Sequence, residues 1–195
     1  MPSPDNAPMS PIFRQLLISL LLIGCTHPSP PVDEVTMALA EEGDATVQMK
    51  VGLAFDKEEN HEEAARWYRK AAEQGVSEAQ NNLGVMYKDG QGVKQDFKEA
   101  AHWFLLAAQQ DNTLAQLNLG WLYHAGKGLR QNADSARYWY SKAAQKGHAT
   151  AHLNLGILYL QQKDTITAIH CLQQAAQRGN EGAQRILQRI NGDGR

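Results

Sequence analysis

Few residues of this chain combine types and spacing that could support catalysis or metal binding. His148 and His152 stand four residues apart, which is the spacing of a zinc-binding pair on one helix face. Residue 149 is alanine rather than glutamate, and the pair lacks the third protein ligand that a catalytic zinc needs. The position of His152 holds a polar amide in other parts of the chain, at Gln80, Gln116 and Gln184. We therefore predict an ordinary polar position and no metal site.

The sequence also lacks the motifs of phosphate-binding loops and of serine enzymes. Gly90-Gln91-Gly92 and Gly126-Lys127-Gly128 are rich in glycine, but no Gly-Lys-Ser/Thr follows and no strand is expected before them. The Ser-x-x-Lys motif of β-lactam-reactive serine enzymes does not occur, since Ser141 and Lys142 are adjacent. The sequence predicts no catalytic residue, no cofactor and no enzymatic activity.

The charge balance argues against polynucleotide binding. Nineteen basic and twenty-one acidic residues give a formal net charge of −2. Lysine and arginine are scattered singly among acids, so no basic patch of the kind that binds nucleic acid is expected.

The N-terminal segment has the pattern of an export signal. Arg14 precedes Leu16–Ile23, an apolar run that is interrupted only by Ser19. This run is far shorter than the roughly 20 residues of a membrane-spanning helix, and it fits the apolar region of a signal peptide. Leu22-Ile23-Gly24-Cys25 resembles the lipobox of bacterial lipoproteins. The resemblance implies a signal peptide over residues 1–24 and lipid attachment at Cys25.

The residues after Cys25 bear on localisation. Thr26 replaces the Asp that, by resemblance to Gram-negative lipoproteins, favours retention in the inner membrane. In a Gram-negative host we expect the outer membrane, with the chain facing the periplasm. Residues 25–32 contain three prolines and form an extended tether. An ordinary signal peptide with a chance cysteine is the alternative, and translation could start at Met1 or Met9.

An internal repeat determines the expected fold. Leu117–Gly120 with Tyr123 recurs as Leu153–Gly156 with Tyr159, and Asn81–Gly84 is a related copy. Gly84, Gly120 and Gly156 are 36 residues apart, and Gly52 lies 32 residues before Gly84. Periods of this length indicate stacked supersecondary units. We predict an all-α fold, an α/α superhelical solenoid of about four helix pairs with capping helices.

The repeat copies set the predicted boundaries. Paired alanines mark each second helix, at residues 71–72, 107–108, 143–144 and 175–176. Cys171 takes the position of Trp67, Trp103 and Trp139, and we expect a buried free thiol there. The repeats are predicted over residues 44–75, 76–111, 112–147 and 148–179, with an N-terminal cap helix over 33–43 and a C-terminal capping helix over 180–195.

The pattern of the second repeat resembles the Sel1-like repeat, a relative of the tetratricopeptide repeat. It includes Ala79, Leu83-Gly84, Tyr87, Gly90-x-Gly92, Ala100, Trp103 and Ala107-Ala108. The resemblance covers about residues 44–179 and implies a scaffold or adaptor that binds proteins or peptides along its concave face. Here the implied partner is an envelope protein or peptide. Alternatives are an enzyme acting on cell-wall fragments or β-lactams, and an architectural protein that oligomerises through its array ends.

Two sets of residues are candidates for the groove. An asparagine precedes Leu-Gly in three repeats, at Asn82, Asn118 and Asn154; in tetratricopeptide proteins such an Asn contacts a bound peptide, and the alternative is a bond to a neighbouring helix. Apolar residues follow the expected inner face of the third and fourth repeats, at Leu114, Leu117, Trp121, Leu153, Ile157 and Leu160. These indicate a hydrophobic groove around Trp121, although some could pack between neighbouring helices. The partner and the oligomeric state are not defined by the sequence.

Overall fold

A computed structural model describes residues 30–192, and within this range the chain forms ten helices and no strand. In chain order these are α1 Glu34–Glu41, α2 Ala45–Lys57, α3 His61–Glu73, α4 Ser77–Asp89, α5 Phe97–Gln109, α6 Thr113–Ala125, α7 Ala133–Gln145, α8 Ala149–Gln161, α9 Thr165–Gln177 and α10 Glu181–Gly192. The predicted all-α superhelical repeat fold is confirmed.

Most helices begin at an Asp or Asn whose side chain accepts from the first free backbone N–H groups. Asp44 accepts from Thr46 and Val47, and Asp96 accepts from Lys98 and Glu99. These bonds satisfy N–H groups that have no partner inside the helix. Several helices end at a residue in the left-handed region, among them Gly75, Asp111, Gly147 and Gly179. The capping residues therefore set the helix bounds and divide the chain into short segments.

Each helix packs mainly on the helices directly before and after it in the chain. The first helices of the four repeats are α2, α4, α6 and α8, and the second helices are α3, α5, α7 and α9. Because contacts are local, each repeat is stabilised by its neighbours.

The Leu-Gly motif allows close approach between the two helices of a repeat. A Cβ on Gly120 would lie 2.6 Å from the Tyr140 ring, and one on Gly84 would lie 2.7 Å from the Phe104 ring. Tyr68 and Leu172 occupy the same position against Gly52 and Gly156. The glycines are helical residues, so their role is to leave room for a large side chain rather than to provide a turn.

The link between the two helices differs among the repeats. It is long in the second and third repeats, over residues 90–96 and 126–132, and short in the first and fourth, over 58–60 and 162–164. Gly92 and Gly128 have φ values of 64° and 71°. A Cβ on Gly92 would overlap the His61 carbonyl, and one on Gly128 would overlap the Phe97 carbonyl. Each long link therefore packs against the start of the preceding second helix.

Buried amides join consecutive repeats. Each of three glutamines donates from Nε2 to a carbonyl eight residues earlier: Gln48 to Ala40, Gln80 to Ala72 and Gln116 to Ala108. These carbonyls end the preceding helix, where such groups lack partners inside the helix. His152 takes this position in the fourth repeat, and burial, with smaller contributions from Arg178 and His170, lowers its pKa. The polar position predicted for His152 is thus at a junction between repeats.

Cys171 is a buried free cysteine, so the predicted packed thiol is confirmed. It packs with Tyr140 and Leu158 in the core between α7, α8 and α9. Burial, and then the Asp164 carboxylate, raises the pKa of this thiol. A raised pKa leaves less thiolate, and the group is therefore a poor nucleophile.

The predicted signal peptide, Met9 and the lipobox with Cys25 lie outside the described residues. Within residues 30–192, no helix has the length and apolar composition needed to cross a membrane.

Candidate partner-binding face

The predicted apolar groove residues lie on α6 and α8. We call Leu114, Leu117, Trp121, Leu153 and Ile157 the apolar face. Leu114 is 52% exposed and Trp121 is 37% exposed. Leu117, Leu153 and Ile157 are half-buried. None of the five is fully buried, so all offer some surface to a partner.

Trp121 is held from the side while part of its indole stays open. Its ring centroid lies 6.5 Å from that of Phe97, which begins α5. The Lys127 ammonium lies 4.8 Å from the Phe97 centroid and 5.6 Å from the Trp121 centroid. A cation near an aromatic face is attracted by the ring quadrupole. These contacts limit the motion of the indole, which reduces the entropy lost when a partner binds.

Other members of the apolar face also stabilise the array. Leu117 packs against the buried cluster that contains Tyr140 and Leu155. Leu153 packs against the cluster formed by Leu172 and Ala183, between α9 and α10. Leu117 and Leu153 therefore pack partly between helices, as the alternative interpretation expects. Leu114 and Trp121 remain the most exposed members.

The asparagine ladder is half-buried, and two of its amides bond inside the protein. Asn118 Nδ2 donates to Asn81 Oδ1 at 3.2 Å, and Asn81 Nδ2 donates to Asn82 Oδ1 at 3.4 Å. The first bond connects α6 to α4, and the second lies within α4. The sequence did not identify Asn81 as the partner of the ladder, because the pairing depends on how two repeats stack.

Two of the three ladder residues, Asn82 and Asn154, also act on buried tyrosines. Burial raises the pKa of Tyr68 and Asp56 raises it further, while the Asn82 amide opposes the rise. Burial likewise raises the pKa of Tyr140, and Asn154 opposes it. Between α5 and α6, the residue at the position of Tyr68 and Tyr140 is Phe104, which has no hydroxyl. The peptide-binding role of the asparagines stays a prediction, since each has an internal role as well.

The repeat register extends the apolar face to two arginines of the C-terminal capping helix. Arg185 and Arg189 on α10 stand 32 residues after Leu153 and Ile157, and both are exposed. The signal for these positions is the register of the fourth repeat. The face therefore passes from apolar side chains on α6 and α8 to cationic side chains on α10.

Two open crevices lie beneath the long links, and residues at matching repeat positions line them. One, of about 390 Å³, includes Arg69, Tyr87 and Val93, and Arg69 Nη2 donates to the Tyr87 hydroxyl at 2.6 Å. The other, of about 330 Å³, is lined at the matching positions by Leu105, Tyr123 and Leu129. Arg69 of the first crevice is thus replaced by Leu105 in the second, while the tyrosine is kept.

The two histidines lie at the start of α8, at the junction with the preceding repeat. His148 Nδ1 and His152 Nε2 are both buried and have no hydrogen-bond partner. Across residues 30–192, no group of three or more His, Cys, Asp or Glu side chains is placed to hold a metal ion.

The Sel1 repeat pattern matches four consecutive segments, residues 50–76, 77–112, 113–148 and 149–180. The chain belongs to the Sel1 repeat family. Sel1 and tetratricopeptide repeat proteins are generally scaffolds for protein–protein interaction rather than enzymes. No curated protein matches this Sel1 repeat chain.

Solved structures agree with this assignment. The chain is similar to c5321, a protective antigen of uropathogenic Escherichia coli with an SLR fold, at 30% identity and a TM-score of 0.78. A Sel1 repeat protein from Oxalobacter formigenes is 31% identical, with a TM-score of 0.72. YrrB, a tetratricopeptide protein with an unusual peptide-binding site, shares the fold at 22% identity and a TM-score of 0.53, with 88% of this chain and 86% of YrrB covered.

The chain spans only part of the length of these two relatives. The similarity covers 84% of this chain but 37% of c5321, and 79% of this chain but 66% of the Oxalobacter protein. The shared part is therefore the repeat array itself.

Proposed function

We propose that this Sel1 repeat protein is a scaffold that binds a segment of another protein along its apolar face. The observation that supports this proposal is Trp121, which is 37% exposed while Phe97 and Lys127 hold it in place. A partly exposed and immobilised Trp is favoured as a binding anchor because it offers a large contact area at a small entropic cost. Leu114, at 52% exposure, enlarges the apolar contact.

The charges beside the apolar face define the partner further. Arg185 and Arg189 continue the register of Leu153 and Ile157 and are exposed. Guanidinium groups bind carboxylates with paired hydrogen bonds. We therefore propose a partner segment with apolar side chains for α6 and α8, and a carboxylate for α10.

Replacing Trp121 with alanine should abolish most of the binding. We would select peptides from a random library on the full-length protein in detergent and measure their affinities for each variant. Trp121→Ala should weaken binding at least about tenfold, as expected for an anchor residue. Its thermal unfolding curve should stay close to that of the wild type, because much of the side chain is already exposed.

Tyr138→Ala is the matched control for this experiment. Tyr138 is 53% exposed and lies on the second helix α7, away from the first helices. Its removal should leave peptide affinity unchanged. Peptides that bind Trp121→Ala as tightly as the wild type would refute the apolar face as the binding site.

We also propose that the scaffold is anchored in the cell envelope through Cys25, in the outer membrane of a Gram-negative host. The lipobox-like Leu22-Ile23-Gly24-Cys25 and the absence of Asp at residue 26 support this location. The acyl chains would provide roughly 0.8 kcal/mol per buried CH₂. The binding face would then be held close to its partners at the membrane.

Cys25→Ser should prevent both lipid attachment and signal cleavage, since the sulfur is the acceptor in the proposed modification. Metabolic labelling with a fatty acid, together with the apparent mass of the chain, measures both. Cys171→Ser is the control and should be labelled normally. Equal labelling of Cys25→Ser and the wild type would exclude the proposed anchor.

A further inference from the structure

The two ends of the array present different kinds of helix. The segment that ends α1, Leu39-Ala40-Glu41-Glu42-Gly43, stands 32 residues before Ala71-Ala72-Glu73-Gln74-Gly75, which ends α3. α1 therefore has the register of a second helix. At the other end, Asn180 accepts from the Ala183 N–H at 3.0 Å, as Asn112 accepts from Ala115 at 3.0 Å. α10 therefore has the register of a first helix.

α1 exposes a face that is covered in the other second helices. Val35 is 70% exposed, whereas Trp67, at the matching position of α3, is 7% exposed. Leu39 is 44% exposed, whereas the matching Ala71 is fully buried. Trp67 packs against Val51 of α2, the first helix of its own repeat. The exposed face of α1 thus corresponds to the surface that a first helix covers.

We infer that α10 of one copy packs on α1 of a second copy and forms a helix pair like that of α2 and α3. The chain would then associate head to tail, and the superhelix would continue from one copy into the next. The register of α2 and α3 gives the contacts. Val51 packs on Trp67, and by this register Leu187 would lie against Val35. Gly52 approaches Tyr68, and Gln188 would likewise lie against Thr36. Gln74 bonds Gln48, and Glu42 would lie beside Gln184.

Each of these pairs is chemically complementary. Leu187 is half-buried and would cover the exposed Val35. In the complete repeats a small glycine faces a large side chain. Here a large Gln188 would face a small Thr36, so the volume is redistributed rather than lost. The Gln184 amide can donate to the Glu42 carboxylate.

The charges of the two ends favour this orientation. Residues 33–44 contain five exposed acids and no Lys or Arg: Asp33, Glu34, Glu41, Glu42 and Asp44. At the other end, the described residues 178–192 expose Arg178, Arg185 and Arg189 and one acid, Glu181. Opposite charges favour the contact between an N-terminal and a C-terminal end. Two N-terminal ends would instead repel each other.

Head-to-tail contacts of this kind do not close on themselves and generate open chains of copies. The contact uses α1 and α10 and leaves the apolar face on α6 and α8 free. It shares only the α10 arginines, Arg185 and Arg189, with the proposed partner site.

Cysteine crosslinking tests the contact directly. Thr36→Cys and Gln188→Cys would be introduced into separate full-length chains, purified in detergent, mixed and mildly oxidised. The mixture should form a disulfide-linked dimer several-fold more efficiently than either variant alone. Gln109→Cys, at an exposed position near the end of α5, replaces Thr36→Cys in the control mixture and should crosslink no more than the wild type, which contains Cys25 and Cys171.

A second measurement covers the case in which the cysteine variants perturb the fold. In density-matched detergent, the protein mass of the wild type should rise with concentration in sedimentation equilibrium. Val35→Arg should weaken this association by about tenfold or more while leaving the helical spectrum unchanged, because the residue is exposed. A wild-type mass that stays monomeric, crosslinking no greater than in the control, or a dominant dimer of Thr36→Cys with itself would overturn the inference.

Discussion

Replacing Gly128 with alanine should lower the free energy of unfolding by roughly 3 kcal/mol or more. Two costs add at this residue. The backbone has a φ of 71°, where an L side chain is strained, and the new Cβ would overlap the Phe97 carbonyl. Left-handed strain costs about 1–3 kcal/mol, and overpacking a similar amount. Because the obstacle is backbone at the start of α5, no rotation of a side chain can relieve it. Urea unfolding followed by circular dichroism measures the loss.

Gly126→Ala separates the two costs. Gly126 has a similar φ of 66°, but its Cβ would lie 3.1 Å from the Gln131 Cβ, a contact that a shift of a few tenths of an ångström relieves. This variant should lower the free energy of unfolding by only about 1 kcal/mol, the low end of the range for left-handed strain. Equal losses for the two variants would show that the long link does not pack on the preceding helix.

The Gly128 contact also bears on the proposed binding face. Lys127 precedes Gly128 in the chain and lies over both Phe97 and Trp121. The link between α6 and α7 is therefore part of the support of Trp121. A shift of the link in Gly128→Ala would move Lys127 and should reduce peptide binding along with stability.

Much of the fold is predictable because its packing residues repeat. The glycines of the Leu-Gly motif face a large side chain in each repeat, as Gly84 faces Phe104 and Gly120 faces Tyr140. A periodic sequence therefore encodes a periodic contact. The left-handed caps at Gly75, Gly147 and Gly179 follow from the residue type, since glycine adopts this conformation readily. By contrast, Glu59 and Lys163 adopt φ values of 58° and 63° in the short links, and neither residue type signals this conformation.

The candidate site was less predictable, because its details depend on contacts between repeats. The bond from Asn118 to Asn81 connects residues 37 positions apart in the chain, and no sequence motif predicts it. The support of Trp121 by Phe97 depends on how α5 meets α6. The position of Gly128 against the Phe97 carbonyl is likewise a tertiary contact, although the glycine itself was recognised as a turn residue.

Replacing Tyr140 with alanine should have the largest effect on the array. Its side chain is fully buried against Gly120 and packs with Leu155 and Leu158. Removing a buried aromatic ring costs about 3–5 kcal/mol, since both the transfer energy and the packing of the cavity walls are lost. Because neighbouring repeats stabilise one another, the substitution should lower the midpoint temperature of the single unfolding transition of the array. Differential scanning calorimetry of the full-length protein would record it.

Tyr140→Phe tests whether the ring or the hydroxyl is responsible. The hydroxyl is buried and has no hydrogen-bond partner, and Phe104 fills the matching position of the second repeat without one. Losing an unpaired buried hydroxyl should be neutral, or should raise stability by up to about 1 kcal/mol, because the cost of its desolvation disappears. If the variant instead loses more than about 1 kcal/mol, the net value of one hydrogen bond, then Asn154 bonds the hydroxyl. That result would assign the asparagine ladder a structural role at this junction as well, in addition to the bond between Asn118 and Asn81.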